Sequence, residues 1–297
     1  MKVCFFEAFF CYISMRQQLS QHKLLLLGGE GFIGRNLAQY FSETNACLSV
    51  GNEKSRFEKR KDLFSRGNPY EQKISHESDI VIHLIDNNVL PDFFVEQEKK
   101  LVRNIGLNKR QHIILFSSAA IYANPDSEYG QRKQLLEKFY TEYCNERGIR
   151  LTIFRLFNTF GPYQVPYRQG SLVSNLIYNY LNRKSTEIND MEAKRDFIYS
   201  RDIAKFVTYA ITNKLQGTLD IGSGRLTRIK DLISLLEEKV FKDHIDIVDK
   251  GIKENMAGRQ ATGDAAESID VTGLESGLIK TAEFYKDNLN ILKNYVE

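Results

Sequence analysis

Tyr129 and Lys133 stand four residues apart in the run YGQRK, at the opening of a segment whose apolar residues recur with helical spacing, so the phenol and the ammonium share one helix face. That juxtaposition has a chemical use. A tyrosine is a poor base at neutral pH, but a nearby ammonium favours the phenolate and suits it to exchange a proton with an alcohol. Ser118 closes the apolar run just before this helix, where its hydroxyl could hydrogen-bond the same substrate oxygen. The spacing alone is weak, since both residue types are common, and a mere cap of the strand end is the competing reading for Ser118. Position gives the set its weight.

A second constellation lies in LGGEGFIG, residues 27–34. Gly28, Gly31 and Gly34 fall between an apolar run at 23–27 and a segment with apolar residues at Phe32, Ile33, Leu37, Tyr40 and Phe41, that is, between a buried strand and a helix. A turn of this kind lets the backbone approach a pyrophosphate, aims first-turn amides at it and brings helix and strand close together. The expected ligand is a nicotinamide dinucleotide, with Phe32 and Ile33 among its contacts; a tight turn without a ligand is the competing reading. An acid binding the adenosine ribose belongs about twenty residues further on. There the chain reads Val50-Gly51-Asn52-Glu53-Lys54-Ser55-Arg56. Asn52 holds the diagnostic place while Lys54 and Arg56 could neutralise a 2′-phosphate, which tilts the choice between NAD and NADP toward NADP. Glu53 could still serve a ribose hydroxyl, and the two cations are equally compatible with a solvated loop.

The elements that must position these groups alternate. Strands are expected at 23–27, 46–50, 79–85, 112–118 and 149–155, with helices over 93–107 and 129–147 between them. Parallel strands joined by right-handed crossovers give an α/β fold, a doubly wound parallel sheet of the Rossmann type. After residue 155 the rhythm changes: a polar, aromatic loop at 158–169 leads to a helix at 171–181, strands at 195–199 and 218–221 each precede a helix, and a last helix runs over 274–295. Asp202 and Thr227 are plausible N-caps. The expected organisation is a leader of uncertain order at 1–22, a dinucleotide-binding domain of 23–160 and 194–225, and a smaller C-terminal α/β substrate domain of 161–193 and 226–297.

With 42% hydrophobic residues the chain can bury a full core, and a net charge of only +3, spread rather than striped, leaves no footprint for nucleic acid or anionic lipid. The four cysteines have neither metal-site nor disulfide-scaffold spacing, so no metal is expected and a reducing, cytoplasmic setting is. The apolar stretch 3–15 resembles a signal-peptide core, but Glu7 interrupts it, no small-residue cleavage site follows, and it is shorter than the ~20 residues a bilayer requires.

Taken in order, GGEGFIG at 28–34, DIVIHLID at 79–86, FSSAAIYA at 116–123, YGQRK at 129–133, RLFNTFGP at 155–162, RDFIYSRD at 195–202 and DIGSG at 220–224 resemble the extended short-chain dehydrogenase/reductase family, and within it the nucleotide-sugar epimerases, dehydratases and reductases. The resemblance spans residues 23–240. It implies Tyr129 as base or acid, Lys133 as its tuner and nicotinamide-ribose ligand, Ser118 as partner, and Leu84 among the cofactor contacts. It also implies Asn158 and Arg195 as ligands of a nucleotide diphosphate, with Arg259 as a second phosphate ligand, a nucleotide-sugar substrate and a homodimer. A structural ion pair of Arg195 with Asp196 or Asp202 is the competing reading.

Three departures bear on the reaction. Sugar dehydratases of this family carry an acidic pair where Ala119 and Ala120 stand, so dehydration is not expected. Asp86 replaces a small residue, and only ten residues separate Ser118 from Tyr129, which implies a smaller cover over the substrate. The expected activity is an NAD(P)-dependent nucleotide-sugar epimerase that transiently oxidises a hydroxyl, at C4. The alternatives are an NADPH-dependent 4-keto-sugar reductase and, from another class, a non-catalytic dinucleotide sensor.

Overall fold

The computed structural model describes residues 19, 21–42, 47–51, 64–66, 68–86, 88–168, 170–253, 258–263 and 269–296. Four leucines, all buried, make β1 (Leu24–Leu27), which turns through the glycines into α1 (Phe32–Ser42). β2 (Cys47–Gly51) and β3 (Phe64–Arg66) follow, then β4 (Ile80–His83). Helix α2 (Pro91–Ile105) starts with proline, whose missing N–H costs nothing there, and ends at Gly106, whose φ of 71° continues no helix. β5 (His112–Ser118) leads through a single helical turn at Ala120–Ala123 to α3 (Glu128–Arg147). The Ser127 hydroxyl caps α3 by accepting the Gly130 N–H at 3.0 Å. Next come β6 (Arg150–Leu156), β7 (Asn158–Phe160), α4 (Leu172–Leu181), β8 (Thr186–Ile188), β9 (Lys194–Tyr199), α5 (Ile203–Thr212) and β10 (Gly217–Ile221). The chain closes with β11 (Leu226–Arg228), α6 (Ile229–Leu235), β12 (Ile247–Asp249), α7 (Leu274–Asp287) and α8 (Leu289–Val296).

Among the described residues, seven strands form one sheet in the order β10-β6-β5-β4-β1-β2-β3, and the pairs β3–β2, β2–β1, β1–β4 and β4–β5 are parallel. The strand order reverses direction between β1 and β4. In doubly wound sheets that switch point opens the crevice where ligands bind, and here it is bordered by the Gly28 turn after β1 and residues 84–86 after β4. Beneath it, Leu25, Leu27, Val81, Ile113 and Leu115 of the sheet pack against Phe94, Leu101 and Ile105 of α2 and Leu136, Tyr140 and Cys144 of α3. Each such side chain contributes roughly 1.5–3 kcal/mol on leaving water. Burial pushes the Cys144 thiol up to about 12.

The chain divides into two compact units, one of residues up to Arg155 with Ile203–Leu219, the other of Leu156–Asp202 and Asp220–Glu297. These boundaries fall at 155, 202 and 219, where the sequence reading places them at 160, 193 and 225. The second unit holds a three-stranded sheet, β11-β9-β7, and a parallel pair, β12 with β8. Three expectations are corrected. Thr227 is no N-cap: it lies within β11, and Arg228 precedes α6 without a side-chain cap. The final helix is broken at Asn288, which leaves helical angles (φ −118°, ψ 17°) while its amide donates to Phe284 O at 2.8 Å. The expected loop at 158–169 also contains β7.

Candidate active site

In the first unit, Ser118 ends β5 and Tyr129 stands in the first turn of α3. Lys133, one turn on, is buried, and its Nζ donates to Phe116 O at 3.4 Å, two residues before Ser118 on β5. The same Nζ lies 5.4 Å from the centroid of the Tyr129 ring. The spacing of four thus does place phenol and ammonium on one face, turned to the strand that carries Ser118. The Ser118 oxygen accepts the Ala120 N–H at 3.1 Å, which leaves its own proton available to a substrate oxygen; among the described residues it donates to no partner. Tyr129 is half-buried.

Gly130 fixes where this helix begins. A Cβ there would come within 2.1 Å of Asn124 O and 3.0 Å of Pro125 O, so only glycine lets the helix start close against residues 124–125, which makes the short segment between β5 and α3 possible. One turn beyond Lys133, Arg155 of β6 binds Glu137 through two hydrogen bonds, at 2.9 and 2.6 Å, and Tyr122 OH at 2.5 Å.

The glycine turn fits a dinucleotide. Gly28 has φ +85°, with Ile85 Cγ1 only 3.2 Å from where its Cβ would be, and a Cβ on Gly34 would sit 2.3 Å from Gly28 O. Gly31 is looser, its one close neighbour being Gly28 O at 3.3 Å. The first-turn amides of α1, including those of Phe32 and Ile33, point out of the helix end, toward the switch point. Arg35 stiffens the turn, Nε donating to Glu30 O at 2.6 Å. Leu84, whose N–H bonds Leu27 O at 3.0 Å, holds β4 to β1 beside this turn. Asn52, Lys54 and Arg56 lie outside the described residues, as does most of the leader.

Three features of this region escape the sequence reading. Buried Glu98 on α2 accepts hydrogen bonds from His83 Nε2 at 2.9 Å, Tyr140 OH at 3.0 Å and Tyr70 OH at 3.2 Å. Because His83 Nδ1 also accepts the Ile85 N–H at 3.2 Å, its proton resides on Nε2, and the imidazole anchors the start of the 84–86 segment. Finally, Arg132, between Tyr129 and Lys133, is buried and donates to Asp86 Oδ1 at 3.2 Å and Asn88 Oδ1 at 3.1 Å. Its spacing of three from Tyr129 is visible in the sequence; its partners, more than forty residues away, are not.

In the second unit, Asn158 and Arg195 line a cavity of about 350 Å³ together with Arg168 and Asn175, with Ile188 and Phe197 as apolar walls. Asn158 Nδ2 is steadied by Asp196 O at 3.2 Å. The Asp196 carboxylate is engaged by Ser223 N and Oγ, Gly224 N and Ala261 N, at 2.6–3.0 Å, and that of Asp202 by Thr272. Arg259 is not among the residues lining this cavity; its guanidinium is 3.7 Å from Asp220. Among the described residues, no helix is long and apolar enough to cross a membrane.

Comparison with known proteins agrees with the geometry. The family model described as NAD dependent epimerase/dehydratase family matches residues 24–222. The chain is 26% identical to a putative UDP-glucose 4-epimerase of Methanocaldococcus jannaschii, over 73% of this chain and 82% of the other. It is 25% identical to UDP-glucuronic acid decarboxylase 6 of Arabidopsis thaliana, over 86% of this chain and 84% of the other. The fold matches that of the Bordetella bronchiseptica enzyme WbmF, solved with NADH, at a TM-score of 0.77 and 21% identity, covering 94% of this chain and 96% of that one. Nothing in these comparisons supports the tilt toward NADP. The glycine turn at the switch point, the Ser118, Tyr129 and Lys133 set and the family match together make this chain an enzyme of the NAD dependent epimerase/dehydratase family, an extended short-chain dehydrogenase/reductase.

Proposed function

We propose that this enzyme is a nucleotide-sugar 4-epimerase that retains NAD and transiently oxidises the C4 hydroxyl. The observation that carries the reading is the Tyr129–Lys133–Phe116 arrangement beside Ser118, with only methyl groups at Ala119 and Ala120. Ser118 donates to the C4 oxygen and orients it, and Tyr129, with Lys133 beside its ring, takes the hydroxyl proton as the C4–H bond breaks. A bound nicotinamide supplies the hydride acceptor. Tyr129 returns the proton when the hydride is delivered to the opposite face of the keto-sugar. In the second unit, Arg195 and Asn158 suit a diphosphate, a guanidinium fork beside a directional amide, and the apolar walls suit a base. The named relatives point to the same substrate class. NAD is preferred because the family description and the cofactor of the Bordetella structure name it. A homodimer through α2 and α3 is part of this proposal, since Leu90 and Phe93 expose apolar surface at the start of α2.

A second reading is favoured by the Arabidopsis relative. A 4-ketone on a sugar bearing a C6 carboxylate is a β-keto acid and loses CO2, so the same oxidation serves a decarboxylase.

The test is to offer UDP-, GDP-, CDP- and dTDP-hexoses and UDP-glucuronic acid to the purified protein without added reductant. Interconversion of C4 epimers with no net change in NADH is the expected result. Release of CO2 selects the decarboxylase, and turnover confined to keto-sugars with added NADPH selects the reductase. Tyr129→Phe is expected to lower turnover by about 10²–10⁴-fold while NADH binding persists; unchanged behaviour would favour a sensor.

A further inference from the structure

Arg132 is a buried cation that the reaction as described does not use. It projects from α3 three residues after Tyr129, and its guanidinium carbon lies 5.9 Å from the Tyr129 ring centroid, while Lys133 Nζ lies 5.4 Å from the same centroid. The phenol is therefore flanked by two cations one residue apart. Lys133 is held by a backbone carbonyl of β5. Arg132 is held by side chains of another segment: Nε to Asp86 Oδ1 and a terminal nitrogen to Asn88 Oδ1, with Asp86 Oδ1 also accepting the Asn88 N–H at 3.3 Å. Asn88 has a φ of +49°, an uncommon conformation for a residue with a side chain, and there its amide oxygen meets the guanidinium. A buried guanidinium is costly unless its protons are met, and two acceptors from one loop fix both its position and its plane.

The holding segment lies at the switch point. Asp86 follows Ile85, the residue that closes over Gly28, and the segment begins at His83, itself locked by Glu98. The clamp thus joins the first turn of α3 to the loop beside the dinucleotide turn.

We infer that Arg132, clamped by Asp86 and Asn88, is a positioning residue that holds the Tyr129 ring in register with the dinucleotide-binding turn. A half-buried ring in a helix's first turn has rotamer freedom to lose, and a planar cation held over the ring removes that freedom before the ligand arrives. The loss expected on release of the clamp is in kcat, because the misplaced group is the one that exchanges the proton; substrate and dinucleotide contacts elsewhere remain.

This inference rests on Tyr129 as the acid/base, and the experiment separates the two. Tyr129→Phe, Arg132→Met, Arg132→Lys and Asp86→Asn are compared for kcat, KM, NADH affinity by fluorescence and melting temperature. Arg132→Met is expected to lower kcat by about 10- to 100-fold, the scale of a misplacement near 1 Å, with KM and NADH affinity within about threefold. Arg132→Lys, which keeps the charge and loses the planar fork, is expected to recover only part of it. Asp86→Asn keeps the cation, loosens its hold, and is expected to fall between Arg132→Met and wild type, which covers the case in which Arg132→Met does not fold. Wild-type kcat in Asp86→Asn together with wild-type kcat or failure to fold in Arg132→Met, while Tyr129→Phe is inactive, overturns the clamp and leaves the role of Tyr129 standing. Wild-type kcat in Tyr129→Phe overturns both.

Discussion

At Gly34 a single methyl group decides whether the dinucleotide turn can form. Its Cβ would lie 2.3 Å from Gly28 O and 2.5 Å from Gly29 Cα, both backbone atoms that cannot swing aside. Relieving such a clash costs about 1–3 kcal/mol, and it must be relieved by opening the turn. Gly34→Ala is therefore expected to weaken NADH at least about tenfold in a fluorescence titration, with little change in far-UV circular dichroism. Unaltered NADH affinity would remove the pyrophosphate from this turn. At this scale the sequence is legible wherever a placement depends on neighbours along the chain. The spacing of Tyr129 and Lys133 and that of the three glycines are local, and the structure places each as expected. Arg259 and Arg132 show the limit: one pairs with Asp220 and the other with Asp86 and Asn88, and no local pattern announces such partners.

At the scale of elements, β5 and β6 are tied at their starts by a histidine. His112 Nε2 donates to Thr152 Oγ1 at 2.8 Å, since the threonine proton is given to Leu215 O at 2.7 Å. Burial, reinforced by Arg150, pulls the His112 imidazole from its ordinary 6.5 down to about 4. A folded value below the unfolded one means that the unfolded chain binds the proton first. Stability is then full above pH 6.5 and falls as pH drops toward 4, by about 3 kcal/mol. Urea unfolding at pH 7 and pH 4.5 should show this loss, and His112→Gln should remove most of it; an unchanged difference would place the acid sensitivity elsewhere. Strands and helices with strong periodicity were legible, β5 to the residue. Thr227 was misread because its capping chemistry is also compatible with a short strand, and pairing with β9 decided the matter. The break at Asn288 was missed because apolar spacing continues through it into α8.

For the molecule as a whole, alternation of strand and helix was enough to read a doubly wound sheet, but the unit boundaries rest on contacts that no alternation encodes. The proposed pairing through α2 and α3 makes a prediction at this scale. Phe93 is 62% exposed at the start of α2, and Phe139 and Tyr143 stack at 5.8 Å along α3. Phe93→Glu is expected to shift the sedimentation mass from two chains to one, and a wild-type mass that is already one chain rejects the dimer. Cys144 offers a different vantage. It lies in the last turn of α3, the helix whose first turn carries Tyr129, sealed in the core, with a thiol far from its reactive thiolate form at neutral pH. With the other three cysteines replaced by serine, an alkylating reagent can capture it only when that helix lifts from the sheet. The rate of capture becomes a stopwatch for α3, and its slowing when NADH is added would time how firmly a ligand shuts the helix down.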